Sequence, residues 1–406
     1  MNILSIHNTY QIRGGEDESR ESEEKLLREM GQQVDVYEET NHRLKSLNPM
    51  QMVAKTIWST ESYQIVKERL QRSPYDLVHV QNSFPLISPS VYYAAQSAGV
   101  PVVQTLRNYR LLCPNALFFR EGKVCEDCLG QMIPIAGIAK GCYRGSRSAT
   151  AVVGTMLTVH RLMKTWMNQV DLYIALTEFA RDKFIAGGFP AEKIVVKPNF
   201  VYPDPGVGQG EGNYALYVGR LSVEKGLDTL LQAWEKLEGR MPLKIVGEGP
   251  LEPQVQAAIA KIPNIELLGR RSIPEVYALM GAAQFVVFPS KWYETFGRVA
   301  VEAFAKGTPV IAAKIGAIAE LVAHDQTGLH FDPDSAADLA DKVAWAMSHP
   351  EALAQMRKTA RAEYEAKYTA QKNYRRLMEI YAQARQTSKA HETRSFQPRT
   401  AYKLPG

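Results

Sequence analysis

Residues 288–307 read Phe288-Pro-Ser-Lys-Trp-Tyr-Glu294-Thr-Phe-Gly297-Arg-Val-Ala-Val-Glu302-Ala-Phe-Ala-Lys-Gly307, and they predict the structure on both sides of a short loop. The apolar run at residues 285–288 predicts a buried strand, and the apolar spacing after Gly297 predicts a helix that ends at Gly307. The first turn of a helix offers unpaired N–H groups to phosphate. Glu294 before that turn and Glu302 in the second turn can accept hydrogen bonds from sugar hydroxyls. The stretch therefore suggests a sugar-nucleotide pocket.

Short apolar runs alternate with helical runs along most of the 406 residues. Strands are predicted at residues 2–7, 34–37, 76–81, 101–106, 172–176 and 193–197, and again at 214–218, 243–246, 265–268, 284–288, 309–312 and 328–331. A segment rich in proline and glycine separates the two series. Two successive βα series predict an α/β protein with two doubly wound, Rossmann-like parallel sheets that face each other across a cleft.

The domain boundaries follow from these runs. We expect a first domain at residues 1–198 with a cysteine-rich insertion at 107–148, a linker at 199–213, and a second domain at 214–368. Residues 369–385 are predicted to form a helix that crosses back to the first domain. Residues 386–406 are predicted to form a basic, disordered tail.

Two loops at predicted strand ends of the second domain suit a diphosphate. Gly219 ends the first strand, and the loop after it carries Arg220 and Lys225, which can hold phosphate as a two-pronged donor and as a point charge. The alternative is a pair of surface cations, but Glu294 at a corresponding strand end favours the site. Glu248 lies in a second glycine turn, Gly247-Glu248-Gly-Pro, which an ordinary βα turn explains equally well.

A paired-glycine loop, Gly14-Gly15-Glu16, joins the first strand and the first helix of the chain. Such a loop lets a phosphate or a sugar approach the backbone closely. It is not the G-x-G-x-x-G pattern of dinucleotide sites, and the glycine-rich residues 206–210 follow no strand. The sequence therefore gives only weak support for NAD binding.

These motifs together resemble those of family 4 retaining glycosyltransferases, which have the GT-B fold. The resemblance covers about residues 1–385 and is most specific in Gly219-Arg220, Lys225-Gly226 and the Glu294…Glu302 pair. It implies that Glu294 contacts hydroxyls of the transferred sugar, that Glu302 contacts the ribose, and that Arg220 and Lys225 hold the diphosphate. The expected donor-binding set is completed by Gly14, Gly15, Gly219, Glu248, Phe296, Gly297 and Arg298.

One position departs from the family pattern. Relatives commonly have a histidine in a first-domain loop beside the donor sugar, and the matching place here carries Arg107. Arginine cannot act as a neutral base, but it can bind phosphate or an acidic sugar, so Arg107 is kept as a donor-binding candidate. His79 also ends a predicted strand, either facing the cleft or packed inside the domain.

The resemblance implies a retaining, hexosyl-type transferase that takes a nucleoside-diphosphate sugar and needs no metal for catalysis. The expected acceptor is lipid-linked or a saccharide, as in surface polysaccharide or lipopolysaccharide biosynthesis. Two alternatives stay open: a nucleotide-sugar epimerase on the same scaffold, and an inactive module that only binds a sugar nucleotide. Glu294, Glu302 and the two cations argue against both.

The four cysteines, Cys113, Cys125, Cys128 and Cys142, all lie within thirty residues. Cys125-x-x-Cys128 has the gap of a zinc knuckle. A structural zinc is one interpretation; four reduced thiols and a redox pair are the alternatives.

The net charge is +5, and most of it lies in the last twenty-two residues. The charged residues at positions 140–164 are all basic: Lys140, Arg144, Arg147, Arg161 and Lys164. Such runs are usually solvated, and the alternative is contact with an anionic membrane. No nucleic-acid-binding signature is present. The first strand does not have the pattern of a signal peptide, so we expect a cytoplasmic protein. The more specific expectation is a cytoplasmic protein in peripheral contact with the inner face of the cell membrane.

Overall fold

The computed structural model describes residues 1–11 and 14–395. The first domain contains β1 (Asn2–Thr9), α1 (Gly15–Glu29), β2 (Gln33–Thr40), α2 (Pro49–Ile57), α3 (Thr60–Arg72), β3 (Leu77–Asn82), α4 (Ser90–Ser97), β4 (Val102–Thr105), β5 (Phe119–Arg120), β6 (Lys123–Val124), α5 (Ile135–Lys140), α6 (Arg147–Leu162), α7 (Thr165–Asn168), β7 (Leu172–Ala175), α8 (Glu178–Ala186) and β8 (Ile194–Val196).

The second domain begins after the proline- and glycine-rich segment. It contains β9 (Ala215–Val218), α9 (Leu227–Lys236), β10 (Leu243–Val246), α10 (Glu252–Ile259), β11 (Ile265–Gly269), α11 (Ile273–Ala282), β12 (Phe285–Phe288), α12 (Arg298–Ala305), β13 (Val310–Ala313), α13 (Gly316–Leu321), β14 (Gly328–Phe331), α14 (Ala336–Ser348) and α15 (Pro350–Lys367). The last helix, α16, runs over Ala370–Ser395.

Each domain is built on a six-stranded sheet whose paired strands are all parallel. The strand order is β2-β1-β3-β4-β7-β8 in the first domain and β11-β10-β9-β12-β13-β14 in the second. These orders reverse between β1 and β3 and between β9 and β12, and ligands bind at such reversals beyond the carboxyl ends of the strands. The predicted fold class of two doubly wound domains is confirmed.

Burial on both faces of the sheets explains why apolar runs mark the strands. All four residues of β12 are buried, as are all four of β4, β7 and β13. In α12, Ala300, Val301, Ala303 and Phe304 are buried against the same sheet. Gly307 has φ +65, a left-handed conformation that favours glycine, and it lies just after that helix.

The chain returns to the first domain at its end. Leu377, Ile380, Tyr381 and Ala384 of α16 are buried in one cluster with Ile3 and other residues of the first sheet. The helix continues to Ser395 and so includes the first ten residues of the predicted tail, 386–395, because no glycine or proline interrupts it there. The remainder of the predicted tail, residues 396–406, lies outside the described residues. Within the described chain, no helix is both long and apolar enough to span a bilayer.

A buried ion pair and a hydrogen bond link α1, the segment after β8 and α16. Lys197 Nζ donates to Glu23 Oε2 at 2.8 Å and to Asn373 Oδ1 at 3.2 Å, and both charged side chains are almost fully buried. Burial alone would raise the pKa of Glu23, but the charges of Lys197, His79 and Arg107 outweigh it and lower this pKa to about 2. The carboxylate therefore stays ionised at neutral pH.

We expect Glu23→Gln to lower the free energy of unfolding by about 3–5 kcal/mol at pH 7, because it leaves Lys197 buried without its counter-ion. A folded pKa below the unfolded value means that this stabilisation is present above about pH 4.5 and is lost as the pH falls towards 2. Urea denaturation at several pH values measures both effects. The control, Lys25→Gln on the exposed face of the same helix, should stay within about 0.5 kcal/mol of the unchanged chain. A similar loss in both variants would contradict the assignment.

Candidate functional site

A cleft of about 860 Å³ lies between the two domains, at the carboxyl ends of both sheets. It is lined from the first domain by Gly14, Gly15, Glu16, Glu18, Ser19, Arg107 and Asn108, and from the second by the loops after β9, β10 and β12 and the first half of α12. Every residue of the sequence-predicted catalytic and donor-binding set lines this one cleft. The motifs that are far apart in sequence are therefore brought together in space.

Glu294 is the best-anchored acid of the cleft. Its Oε1 accepts hydrogen bonds from Lys225 Nζ at 2.6 Å, Ser290 Oγ at 2.9 Å and Trp292 Nε1 at 2.9 Å. Lys225 comes from the loop after β9, and the other three residues come from the loop after β12. Because these strands are neighbours at the reversal of strand order, the two loops meet. The predicted pairing of an acid and a cation is thus a direct ion pair.

Arg220 and Glu248 stand differently from Lys225. Both are exposed at the cleft, and among the described residues none pairs with the Arg220 guanidinium. An unpaired guanidinium beside a cleft can hold an anion through two parallel hydrogen bonds. The loop after β9 therefore contributes one cation fixed by a carboxylate and one cation available to a ligand.

Two glycines allow these loops to pack closely. A side chain on Gly226, which has φ +68, would place its Cβ 1.8 Å from the Pro289 carbonyl oxygen. On Gly247, with φ +143, it would lie 1.8 Å from the Gly219 carbonyl oxygen. Only glycine accommodates both the backbone conformation and the contact. These positions hold the loops after β9, β10 and β12 together beneath the cleft.

The start of α12 carries a second acid–base pair. Gly297 has φ +117 and precedes the helix, and its carbonyl accepts a hydrogen bond from the Ala300 N–H at 3.0 Å. The N–H groups of Arg298 and Val299 come before that bond and have no acceptor within the helix. Arg298 Nε donates to Glu302 Oε1 at 2.7 Å, and its Nη1 lies 3.1 Å from Glu18 Oε2 of the first domain. Burial raises the pKa of Glu302 above its ordinary value, although the Arg298 charge acts in the opposite direction. Phe296 is buried next to this pair and also lines the cleft.

The paired glycines form the opposite wall of the cleft. A Cβ on Gly14 would meet no atom of the described residues within 4 Å, and one on Gly15 would lie 3.8 Å from Arg298 Cδ. Packing within the protein therefore does not require glycine at residue 14. A ligand bound in the adjoining part of the cleft would be a reason for a residue without a side chain at this position. Beside them, Glu16 Oε2 accepts from Asn108 Nδ2 at 3.1 Å, while its buried Oε1 has no hydrogen-bond partner among the described residues. Burial raises the pKa of Glu16.

Arg107 lines the cleft but is held by the first domain. Its Nε donates to Gln81 Oε1 at 2.8 Å and its Nη1 to Asn199 Oδ1 at 3.3 Å, with Glu23 Oε1 at 4.0 Å from Nη2. His79 does not reach the cleft. Its ring nitrogens lie 2.7 Å from Tyr381 Oη and 2.8 Å from Thr105 Oγ1, and burial lowers its pKa to about 4. His79 is therefore a packed strand histidine rather than a residue of the site.

Direct hydrogen bonds join the domains at the floor of the cleft. Tyr109 Oη donates to the Glu294 carbonyl at 3.2 Å, and Thr295 Oγ1 donates to the Arg107 carbonyl at 2.8 Å. Thr177 Oγ1 donates to the Thr295 carbonyl at 3.3 Å. The loop that carries Glu294 is therefore positioned by both domains.

The sequence did not single out several of these residues as parts of the site. Ser290 and Trp292 lie in the quoted stretch, and their closeness to Glu294 in sequence was the available signal. Glu18 and Tyr109 carry no such signal, since their partners lie in the other domain.

The cysteines are brought together away from the cleft. All four are free thiols, and all line one small cavity in the insertion between β4 and β7. Within the described part of the chain, no three histidine, cysteine, aspartate or glutamate side chains are arranged to hold a metal ion as they stand.

The basic stretch at residues 140–164 forms part of an outer face of the first domain, where α5 packs along α6. Lys140, Arg144, Arg147 and Lys164 are exposed there. Arg161 differs, because its guanidinium donates to the backbone carbonyls of Leu111, Gln131 and Met132 and burial lowers its pKa. Exposed apolar side chains lie on the same two helices and next to them, notably Ile135 at 67% and Leu162 at 66% exposure, with Met132, Ile133 and Met163.

Comparison with known families gives two matches that follow the domain division. The family described as "Glycosyl transferases group 1" matches residues 205–363, and the "Glycosyl transferase 4-like domain" matches residues 31–199. The two ranges together cover most of the chain.

The chain is also similar to individual proteins. It is 26% identical to an uncharacterized 42.6 kDa protein in the cps region of Klebsiella pneumoniae, over 68% of each chain. It is 33% identical to the D-rhamnosyltransferase WbpZ of Pseudomonas aeruginosa, over 39% of this chain and 42% of that one. Several other curated relatives are also matched over less than half of their own length. The Anabaena protein HepE, solved in complex with UDP, superposes with a TM-score of 0.66 at 21% identity, over 94% of this chain and all of that one.

Proposed function

The chain belongs to family 4 of the glycosyltransferases and has their two-domain GT-B fold, and from this premise we propose that it transfers a sugar from a nucleoside-diphosphate sugar to an acceptor with retention of anomeric configuration. The observation that carries the proposal is the meeting of Arg220, Lys225 and Glu294 in one cleft, opposite Gly14 and Gly15.

The cations act on the leaving group. Negative charge builds on the diphosphate as the glycosidic bond to it breaks, and groups already aimed at that charge lower the barrier. In the part of the chain that the structure describes, no side chain pairs with the Arg220 guanidinium, which leaves it for this role, and Lys225 is held at the cleft by Glu294. The first-turn N–H groups of α12, near Phe296, Gly297 and Arg298, add further donors at the same phosphates.

The acids act on hydroxyl groups of the donor. Three donors fix Oε1 of Glu294, so the second oxygen of this carboxylate is the one left to accept from a hydroxyl of the transferred sugar. Glu302 is similarly oriented through one oxygen by Arg298, and its other oxygen is assigned to the ribose. Gly14 and Gly15 leave room for the donor on the first-domain side, and Gly219 and Glu248 line the second-domain side.

Retention follows when the acceptor attacks from the face that the leaving group departs from. The anomeric carbon then has oxocarbenium character, and the departing phosphate takes the proton of the acceptor hydroxyl. In this scheme Arg220 and Lys225 supply the charge that a metal ion provides in other transferases. We therefore propose catalysis without a metal.

The nucleotide and the acceptor are assigned by chemical class. HepE, a structural neighbour, was solved with UDP, which supports a nucleoside diphosphate as the leaving group. The name of the D-rhamnosyltransferase WbpZ supports a hexosyl-type donor, and the Klebsiella relative in the cps region supports a role in surface polysaccharide assembly. The proposed acceptor is a lipid-linked or free saccharide.

A lipid-linked acceptor would be met at a membrane surface, and the outer face of α5 and α6 fits an anionic one. Four exposed cations attract anionic headgroups at about 1 kcal/mol each. Exposed Ile135 and Leu162 can enter the headgroup region beside them. We propose peripheral contact with the inner face of the cell membrane through this face.

The decisive experiment incubates the purified chain with labelled UDP-, GDP- and ADP-sugars after a thermal-shift screen has ranked them, since a bound donor raises the melting temperature. We expect one donor to be transferred or slowly hydrolysed, with the anomeric configuration kept when NMR follows the product. Brief treatment with EDTA and addition of Mg²⁺ or Mn²⁺ should leave the rate unchanged. Epimerised donor without transfer, or binding without turnover, would refute the proposed reaction.

Lys225→Ala and Glu294→Ala should each lower turnover at least about 100-fold, because each removes a charge aimed at the reacting donor. The matched control is Lys244→Ala with Glu266→Ala, a second lysine–glutamate pair on neighbouring strands of the same sheet, outside the cleft. Initial rates with the labelled donor measure both sets. Near-normal rates in the cleft variants would count heavily against the assignment.

Membrane contact is tested by sedimentation with vesicles of phosphatidylglycerol and phosphatidylethanolamine, against vesicles of phosphatidylcholine. We expect binding to the anionic vesicles only, weakened by salt. Ile135→Glu with Leu162→Glu should weaken it by about tenfold or more, since apolar burial is lost and repulsion is added. Val207→Glu, at an exposed apolar residue of the linker, is the control. Equal binding to both vesicle types would contradict the proposal.

A further inference from the structure

The insertion between β4 and β7 contains a cavity whose walls bring together all four cysteines of the chain. Cys113, Cys125, Cys128 and Cys142 line it, with Pro114, Asn115, Phe119, Arg120 and Gly137 as the remaining wall. The four thiols come from four separate places in thirty residues of chain, and none forms a disulfide. This cavity therefore brings four soft sulfur ligands to one place in the fold, beside the polar side chains of Asn115 and Arg120.

The residues around the cavity pack closely on the sulfurs. A Cβ on Gly137 would lie 3.2 Å from Cys128 Sγ, so the lack of a side chain there leaves room for this sulfur. The Cys142 backbone N–H donates to the Gly137 carbonyl at 3.0 Å, and the Cys113 thiol donates to Asn115 Oδ1 at 3.0 Å. These contacts connect the segments that carry Cys113, Cys128 and Cys142.

The backbone around the cavity has little regular structure to hold it. Between β4 and α6, regular structure is confined to the two-residue strands β5 and β6 and the six-residue helix α5. Cys125-x-x-Cys128 follows the β5–β6 hairpin directly, which is the arrangement of a zinc knuckle. A segment with so few backbone ladders gains most from a crosslink between its distant parts.

We propose that Cys113, Cys125, Cys128 and Cys142 bind one structural zinc ion as four thiolates. The thiols do not stand in metal-binding positions in this structure, so binding requires their side chains to rotate from the walls towards the middle of the cavity, to about 2.3 Å from the metal. Each thiol gives up its proton to solvent as its bond to zinc forms, and no oxidation is involved. Soft thiolate ligands favour zinc over magnesium or calcium.

The zinc would order a contact between the insertion and the second domain. Glu126, inside the Cys125-x-x-Cys128 turn, lies 2.6 Å from Lys183 Nζ, and this ammonium lies over the Tyr293 ring, 4.9 Å from its centroid. Phe118 packs edge-on against Tyr293, the neighbour of Glu294. The insertion therefore touches the second domain next to the anchored acid, and a metal crosslink would fix that contact. The proposal does not depend on the transferase assignment, because it rests on different residues.

The test is elemental analysis of the full chain, purified without chelators from cells grown with added zinc. We expect about one zinc per chain, the value for a single tight site. Titration of the native protein with a mercurial should release that zinc in step with the loss of four thiols. The metal-free protein should melt at a lower temperature and recover when zinc is returned.

Cys125→Ser with Cys128→Ser should lower the zinc content below about 0.2 per chain, and Glu126→Gln, between the same two cysteines, should leave it unchanged. If the double cysteine variant does not fold, the metal content and thiol titration of the unchanged protein still decide the matter. Less than about 0.2 zinc per chain in that protein would overturn the proposal. Iron in place of zinc, or a disulfide found by mass spectrometry, would overturn it as well.

Discussion

The cleft between the domains depends on one carboxylate that joins two loops, the loop after β9 and the loop after β12. Glu294 is buried, and a buried charge is stable only when it is paired and hydrogen-bonded. Lys225, Ser290 and Trp292 meet that need through a single oxygen. Because Lys225 comes from the loop after β9, the ion pair also fixes the distance between two neighbouring strand ends. The position of Lys225 relative to Glu294 is thus set by the need of the buried Glu294 carboxylate for a counter-ion.

The same loop is held from the other domain. Tyr109 donates to the Glu294 carbonyl, and Thr295 donates to the Arg107 carbonyl. The second acid pair follows the same principle, since Arg298 bridges Glu302 of its own helix and Glu18 of the first domain. Opening the cleft would break these polar contacts, while α16 would remain packed on the first sheet. The return of the chain along α16 therefore limits how far the domains can separate.

Much of this architecture was predictable, and the failures have physical causes. All twelve strands of the two large sheets were predicted, because strands buried on both faces of a parallel sheet are continuous apolar runs. The limits of the helices α2 and α3 were not predicted, since few of their residues are buried, among them Val66 and Leu70. The motifs placed the cleft residues correctly as a group, but no motif could pair Glu18 with Arg298, because that contact depends on how two domains meet.

Arg107 is the site residue at which this chain departs from the family pattern. Where relatives commonly carry a histidine beside the donor sugar, this chain has a guanidinium that donates to Gln81 and Asn199 and lies near Glu23. Glu23 is also the counter-ion of Lys197, so this buried carboxylate balances two buried cations, Lys197 and Arg107. A neutral histidine in place of Arg107 would not need a counter-ion. Those contacts hold Arg107 in place, and its backbone carbonyl meanwhile binds Thr295 of the second domain. The replacement of histidine by arginine is therefore built into the charge balance of the first domain, and Arg107 presents a fixed positive charge, rather than a proton acceptor, to whatever occupies the cleft.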